Sequence, residues 1–255
     1  MANRSYLYSL SHRPRSYDDR PETIAGLSEW PYDVPFSYRV LLSADPQLCA
    51  SLISDGFDED DPDQRTPLWA VCGDFDGGRA RLEKLLSALS VLAAGRTSAL
   101  QRLGRRLGWI AAPASPALPE LARAIDDTRT FLDAHRDRCV LLETVELHLM
   151  TAEDAATLRE LAEQELARCR LAGAAIDALP DAPADAARAL AEAAAGPAAG
   201  ALSALRGLRL DDRFDHTRDG STEAPLGLTF WSEVLYFGLW NRAEYEAHLA
   251  SSGPR

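Results

Sequence analysis

The hydrophobic positions in the middle of the chain recur with the spacing of amphipathic helices. Residues 79–132 contain two stripes of apolar residues spaced three and four apart, and residues 155–169 contain a third. Such spacing places apolar side chains on one face of a helix that packs against a core. Thr151 and Asp154 resemble a capping box that begins the third helix. The stripes are Leu82, Leu85, Leu86, Leu89 and Leu92; Leu118, Leu121, Ala122, Ile125 and Leu132; and Ala155, Leu158, Leu161, Ala162, Leu166 and Cys169.

Shorter apolar runs bounded by turn-forming residues predict a small sheet. Such runs surround Tyr6, Trp69 and Leu141, and the residues around Phe230 are aromatic and favour β-structure. The run over residues 139–150 fits a strand or a helix, and its alternating second half favours a strand. We therefore predict an α+β fold that is predominantly helical, with a small sheet of a few strands covered by helices.

Two further helices follow from capping patterns. Residues 36–53 hold two helical groups of apolar residues, and Asp45-Pro46 predicts the start of the second helix, because Asp caps helices and Pro fits their first turn. Asn241 predicts the start of a closing helix over residues 242–250.

The length of 255 residues is sufficient for one large core, and we predict a single domain over residues 1–255. Its parts are an N-terminal α/β part (1–78), a helical part (79–210), and a C-terminal aromatic strand and helix (211–255). Within the helical part, residues 173–207 are rich in alanine and interrupted by proline and glycine. This composition predicts short helices there.

The charge balance restricts the kind of partner. The chain has 27 basic and 39 acidic residues, a formal net charge of -12. This charge opposes binding to polyanions, so neither nucleic acid nor an anionic membrane is an expected partner. A protein with a basic surface is the expected partner, and the sequence does not give the oligomeric state.

One acidic cluster is the candidate partner-binding site. It does not fit the calcium-binding EF-hand pattern, because glycine is second and Thr66 twelfth when positions are counted from Asp55. Three interpretations stay open: a solvated loop, a contact surface for a cationic partner, and a metal site. We predict no metal and no cofactor. The cluster consists of six carboxylates within nine residues: Asp55, Asp58, Glu59, Asp60, Asp61 and Asp63.

The cysteine pattern and the termini indicate a cytoplasmic protein. The four cysteines are far apart and form no C-x-x-C pair, which predicts free thiols in a reducing compartment. The first ten residues lack the continuous apolar core of a signal peptide, and no apolar run has the length of a membrane span. The thiols are Cys49, Cys72, Cys139 and Cys169.

No established catalytic motif is present in the sequence, so no catalytic residue is assigned. One combination of side chains supports an enzyme as an alternative function. Glu143, Glu146 and His148 lie close together, and in a strand Glu146 and His148 point to the same face. A carboxylate beside a histidine is a possible acid–base pair for a small-molecule hydrolase or transferase.

Two groups of aromatic residues are interpreted mainly as core. Some of their members are candidates for anchors at a partner interface, where Trp and Tyr are enriched. The groups are Trp30, Tyr32, Phe36 and Tyr38, and Phe230, Trp231, Tyr236, Phe237 and Trp240.

Three stretches resemble an uncharacterised bacterial protein family of unknown function whose members begin with MANRSYLY. They are MANRSYLYSL, RPETIAGLSEWPYDVPFSYRVLLSADPQLCASLISDGF and the closing LGLTFWSEVLYFGLWNRAEYEAH. The resemblance is clearest over residues 1–57. It transfers no catalytic residue or cofactor, and it implies an association with toxin/immunity loci.

The predicted function is that of a cytoplasmic protein-binding protein. Its specific form is an immunity protein that neutralises a toxin through an acidic face. The alternatives are the hydrolase or transferase built on Glu143, Glu146 and His148, and a non-catalytic scaffold or regulatory subunit.

Overall fold

Five strands from distant parts of the chain form one antiparallel sheet in the computed structural model, which describes residues 3–54, 56, 67–107, 117–152, 154–210 and 225–252. The order across the sheet is β2-β1-β5-β4-β3, so the predicted helical part of the chain supplies the central strand. The strands are β1 (Arg4–Leu10), β2 (Ile24–Pro31), β3 (Gln47–Ala50), β4 (Trp69–Asp74) and β5 (Cys139–Glu143).

Helices account for most of the regular structure around this sheet, which confirms the predominantly helical α+β fold. None of the described helices is both long enough and apolar enough to cross a membrane. They are α1 (Phe36–Leu41), α2 (Phe75–Leu107), α3 (Ala117–Ala134), α4 (Val145–His148), α5 (Ala155–Asp177), α6 (Pro183–Ala195) and α7 (Arg242–Ser252), and a 3-10 helix covers Gly200–Leu205.

The two faces of the sheet are covered differently. Alternation along the strands directs Leu7, Val71 and Val140 into the main core, which α1, α2, α3, α5 and α6 complete. Tyr6, Tyr8, Cys72 and Leu141 point to the opposite face. An irregular C-terminal segment, residues 225–241, begins in the main core, where Leu226 and Leu228 are buried, and then crosses to this opposite face. Its Leu235, Phe237 and Leu239 pack there while staying partly exposed.

Glycine allows α1 and α2 to approach closely. A side chain at Gly78 would collide with the carbonyl group of Leu41, and a Cβ atom at Gly73 would lie 2.5 Å from the carbonyl oxygen of Leu42. Asp74 begins α2, since its Oδ2 accepts a hydrogen bond from the Gly77 amide at 2.7 Å. The glycines therefore fix the packing of the first turn of α2 against the end of α1.

A buried ion pair joins α1 to α5. Arg39 donates from Nε to Oε1 of Glu165 at 2.6 Å and from Nη2 to Oε2 at 3.2 Å. Burial alone would raise the pKa of Glu165, but Arg39 and Arg168 outweigh it and hold this pKa below its ordinary value. The pair therefore stays ionised inside the protein.

Several local predictions are wrong. Residues 47–50 form strand β3 rather than a helix; Asp45 has a positive φ of 45°, which turns the chain into the strand. The run over 139–150 is a strand only to Glu143 and then turns into α4. The predicted strand around Phe230 is irregular, with one isolated bridge between Ser28 and Trp231.

The sequence patterns missed β2 and misplaced one helix cap. The start of α5 is capped by Asp154, whose carboxylate accepts from the Thr157 amide, and not by Thr151. At α7 the predicted cap is confirmed. Asn241 Oδ1 accepts from the Glu244 amide at 3.1 Å, and Glu244 Oε2 accepts from the Asn241 amide at 2.9 Å.

Candidate functional site

The predicted partner-binding carboxylates lie outside the described residues: Asp55, Asp58, Glu59, Asp60, Asp61 and Asp63. Hydrogen bonding joins the chain on either side of them. Leu52 follows β3, Leu68 precedes β4, and the Ser51 amide donates to the Leu68 carbonyl at 3.0 Å. The described residues on the two sides of the gap, Ser51–Leu52 and Leu68, therefore lie side by side at the same end of the β3–β4 pair.

Glu143 ends the central strand and is fully buried on the face opposite the main core. Its Oε1 accepts a hydrogen bond from the Leu52 amide at 2.7 Å, and its Oε2 accepts one from the Ser51 hydroxyl at 2.9 Å. Burial is the largest effect on Glu143 and raises its pKa to about 7. The two hydrogen bonds and the positive charge of Arg20 lower this pKa, but by less. The carboxyl group is enclosed by the protein, and its two oxygens are occupied by the chain that leads to the acidic segment.

Arg20 is buried beside this carboxyl group. Its Nη1 donates to the Leu52 carbonyl at 3.0 Å, and its guanidinium lies 4.0 Å from the ring centroid of Tyr17 and 4.6 Å from that of Tyr245. Two aromatic faces and a carbonyl thus hold the cation, with no direct carboxylate partner among the described residues. The loop before β2 and helix α7 are joined through this side chain.

The other two residues of the enzyme hypothesis have separate partners. Glu146 accepts from the Tyr6 hydroxyl at 2.9 Å and from the Arg4 amide at 3.0 Å. His148 lies with Nδ1 3.5 Å from Thr144 Oγ1, and burial lowers its pKa. Because residues 145–148 are helical, Glu146 and His148 do not share a strand face. The three side chains therefore occupy three different polar environments.

Metal-binding groups were sought among the described side chains. No set of three or more His, Cys, Asp or Glu residues in the described ranges is placed to hold a metal ion. An open depression next to α5 is lined by Leu149, Met150, Ala152 and Asp154, among others. The carboxylate among its described lining residues, Asp154, is already used as the cap of α5. The described lining of the depression therefore offers no convergent set of reactive groups.

The most unusual surface feature is a strip of exposed apolar side chains, which we call the apolar strip. It follows the C-terminal segment around the edge strand β2. Large hydrophobic side chains are exposed at eight described positions, and five of them belong to this strip. Its members are Tyr32, Phe230, Val234, Tyr236 and Trp240.

Contacts with β1 and β2 fix the course of the strip. On the side of the main core, the Phe230 ring packs edge-on against Trp30 with centroids 5.6 Å apart. On the opposite face, the Arg4 guanidinium lies 4.8 Å from the ring centroid of Tyr236. Val234, between them, is 85% exposed. The strip therefore wraps around the sheet edge and presents side chains on both sides.

Sequence reasoning identified the aromatic groups but not which members are exposed. Trp30, Phe36 and Tyr38 are buried, as the core interpretation predicts. Tyr32 and Phe230 are about half exposed and do not fit it. From Val234 to Trp240, the even-numbered residues are exposed and the odd-numbered residues are partly buried. Hydropathy does not reveal this alternation, because both sets of residues are mainly apolar.

Comparison with known proteins identifies one family. The model of a family described as Domain of unknown function (DUF7822) matches residues 11–195. No curated protein and no solved structure gives a significant match. The matched range includes Arg20 and Glu143, whereas β1 and four of the five residues of the apolar strip lie outside it.

Proposed function

This chain belongs to the DUF7822 family of unknown function, and we propose from its own surface that it is a protein-binding protein. The observation that carries the proposal is the apolar strip, which collects four exposed large side chains along the C-terminal segment and a fifth, Tyr32, directly after β2. Surfaces of soluble proteins rarely concentrate apolar groups in this way unless a partner covers them. Tyr and Trp, which the strip contains, are the residues that most often dominate protein interfaces.

The partner is a protein with basic groups around an apolar contact. A net charge of -12 attracts such a surface over a long range and repels polyanions. One carboxylate near the strip, that of Glu233 beside Val234, is 68% exposed along its side chain and pairs with His135. An apolar contact on a protein of negative net charge is complementary to a basic protein surface.

The specific form of this function is a toxin-neutralising immunity protein. Inhibitors of this kind act by covering the surface of another protein. Such an inhibitor requires an exposed contact region but no catalytic centre. The acidic residues 55–63 would add electrostatic attraction to the contact made by the apolar strip. The apolar strip would supply most of the binding energy.

Site-specific photocrosslinking tests the proposal. A photoreactive amino acid is placed at Val234 in the full chain, expressed in its native cell, and a matched control carries it at Leu171, an exposed residue of α5. We expect a discrete crosslinked protein of basic isoelectric point at position 234 and not at 171. Equal crosslinking at both positions, or none at position 234, would show that the strip is not a binding surface.

A further inference from the structure

Two members of the apolar strip have an unusual backbone conformation. Tyr32 has a φ of 62° and Phe230 a φ of 72°, in the left-handed region. Bulky aromatic residues rarely adopt it, because the Cβ atom then approaches the neighbouring carbonyl. Only one other described non-glycine residue does so, Asp45, and Asp tolerates the conformation better.

Buried hydroxyl groups hold Phe230 in this conformation. The Tyr38 hydroxyl donates to Ser28 Oγ at 2.5 Å, and Ser28 Oγ donates to the Phe230 carbonyl at 2.9 Å. Tyr38 and Ser28 are both fully buried. The core therefore fixes the backbone at Phe230, while the Phe230 side chain itself is 55% exposed.

The backbone around Tyr32 is fixed in a similar way. Its amide donates to the Asn3 carbonyl at 2.8 Å, and the next residue, Asp33, accepts from the buried Ser5 hydroxyl at 2.7 Å. The Tyr32 side chain is 47% exposed. In both places the protein keeps a strained backbone that directs an aromatic ring into solvent.

Both strained residues lie close to Trp30, one along the chain and the other through a ring contact. Tyr32 is two residues from Trp30, and the Phe230 ring packs on Trp30. Glycine would suit both backbones and would be more stable there, unless the rings are needed. Strained residues of this kind cluster at active sites, ligand clamps and switch regions.

We infer that Tyr32 and Phe230 are the anchor residues of the interface, which insert their rings into an apolar pocket of the basic protein partner. The inference rests on the proposed protein-binding function and assigns its central contact to this end of the apolar strip. The left-handed backbones hold the rings outward before the partner arrives, so little ordering is required on binding. Val234, Tyr236 and Trp240 then form the surrounding contact.

Glycine substitutions separate this role from a structural one. The variants are Tyr32→Gly, Phe230→Gly and their combination, and Tyr236→Gly is the matched control, because Tyr236 is also an exposed aromatic but has no positive φ. Thermal melting should leave Tm unchanged or raised by about 2–4 °C for the strained positions. The control should have a lower Tm, since glycine there adds flexibility without relieving strain.

Binding is measured with the partner identified by crosslinking at Val234, using calorimetry on the purified full chains. We expect the combined Tyr32→Gly and Phe230→Gly variant to bind at least 10-fold more weakly, although it is as stable as the parent. Affinity within twofold of the parent would overturn the anchor assignment while leaving the proposed function intact. A Tm loss at Tyr32 and Phe230 as large as in the control would also overturn it, because the rings would then serve packing. A failure to crosslink at Val234 would instead remove the proposed function.

Discussion

Glu143 and Arg20 hold the backbone of the same residue on either side of its Cα atom: the carboxylate accepts from the Leu52 amide at 2.7 Å, and the guanidinium donates to the Leu52 carbonyl at 3.0 Å. Both charged side chains are buried. Leu52 lies between β3 and the acidic residues 55–63, so these two groups position the chain where that segment begins.

Replacing Glu143 by Gln should change how stability depends on pH. The pKa of Glu143 is about 7 in the folded protein and 4.5 ordinarily. Between pH 4.5 and about 7, the carboxyl group therefore keeps a proton in the native state that it has lost in the unfolded state. The contribution of Glu143 to the free energy of unfolding therefore falls as pH rises from about 4.5 to 7 and is constant above. Because Gln stays neutral, Glu143→Gln should gain up to about 3 kcal/mol relative to the parent across this window.

Urea denaturation of both proteins at pH 5, 6, 7 and 8 measures this difference. Glu160→Gln, at an exposed position of α5, is the matched control and should show no such trend. If the free energies of unfolding of the parent and Glu143→Gln differ by the same amount at every pH, Glu143 is ionised throughout this range. Burying its charge would then cost less free energy than its environment indicates.

Removing Glu165 should strongly destabilise the protein. Glu165→Ala leaves the largely buried Arg39 with Asp33, 4.0 Å away, as its remaining carboxylate among the described residues, and breaking a buried pair of this kind costs about 3–5 kcal/mol. Glu163→Ala on the same helix breaks a surface pair with Arg159 and should cost less than about 0.5 kcal/mol. Chemical denaturation distinguishes them. If the two variants lose equal stability, the buried pair does not connect α1 to α5 energetically.

The four cysteines should be free but unreactive in the native protein. All four are buried free thiols in the structure, and burial raises the pKa of Cys169 well above its ordinary value. Alkylation without reductant should add four labels after denaturation and none within minutes under native conditions. Intact mass measures both. Two or no labels after denaturation would reveal disulfides, and rapid native labelling would reveal local opening.

Neutralising the acidic segment should slow association with the partner. Replacing Asp58, Glu59, Asp60 and Asp61 by Asn or Gln removes long-range attraction, which salt screens beyond about 8–10 Å. Association with the crosslinked partner should therefore slow mainly at low salt, with a smaller change in dissociation. Stopped-flow kinetics across a salt series measures this effect. Identical association rates at every salt concentration would identify the segment as a solvated loop.

The sequence predicted the fold best where an apolar pattern was long and uninterrupted. Helix α5 contains the whole predicted stripe, from Ala155 to Cys169, and continues to Asp177. Strand β3 has only four residues, too few to distinguish a period of 2 from one of 3.6, and Asp45-Pro46 before it imitates a helix start. Strand β2 is interrupted by Gly26, where the C-terminal segment passes so closely that a Cβ atom would lie 2.5 Å from the Glu233 carbonyl oxygen. Such packing requirements arise only in the folded chain.

The site residues were harder to predict than the fold for a related reason. Glu143 was identified because it is near Glu146 and His148 in the sequence, but its actual neighbours, Arg20 and Leu52, are about 90 to 120 positions away along the chain. Tyr32 and Phe230 share aromatic character with buried neighbours. Their exposure and positive φ depend on hydrogen bonds from Ser5, Ser28 and Tyr38, which no local pattern encodes.

The central position of β5 has a consequence for synthesis on the ribosome. The strand pairs β1–β2 and β3–β4 can form once residue 74 has emerged, but the strand that joins them is residues 139–143. Until then the nascent chain displays the inner edges of β1 and β4, whose unpaired backbone groups are templates for pairing with other chains. Products truncated before residue 139 should therefore aggregate. Correct folding of the intact protein requires that the exposed edges of β1 and β4 do not pair with other chains while α2 and α3 are being synthesised.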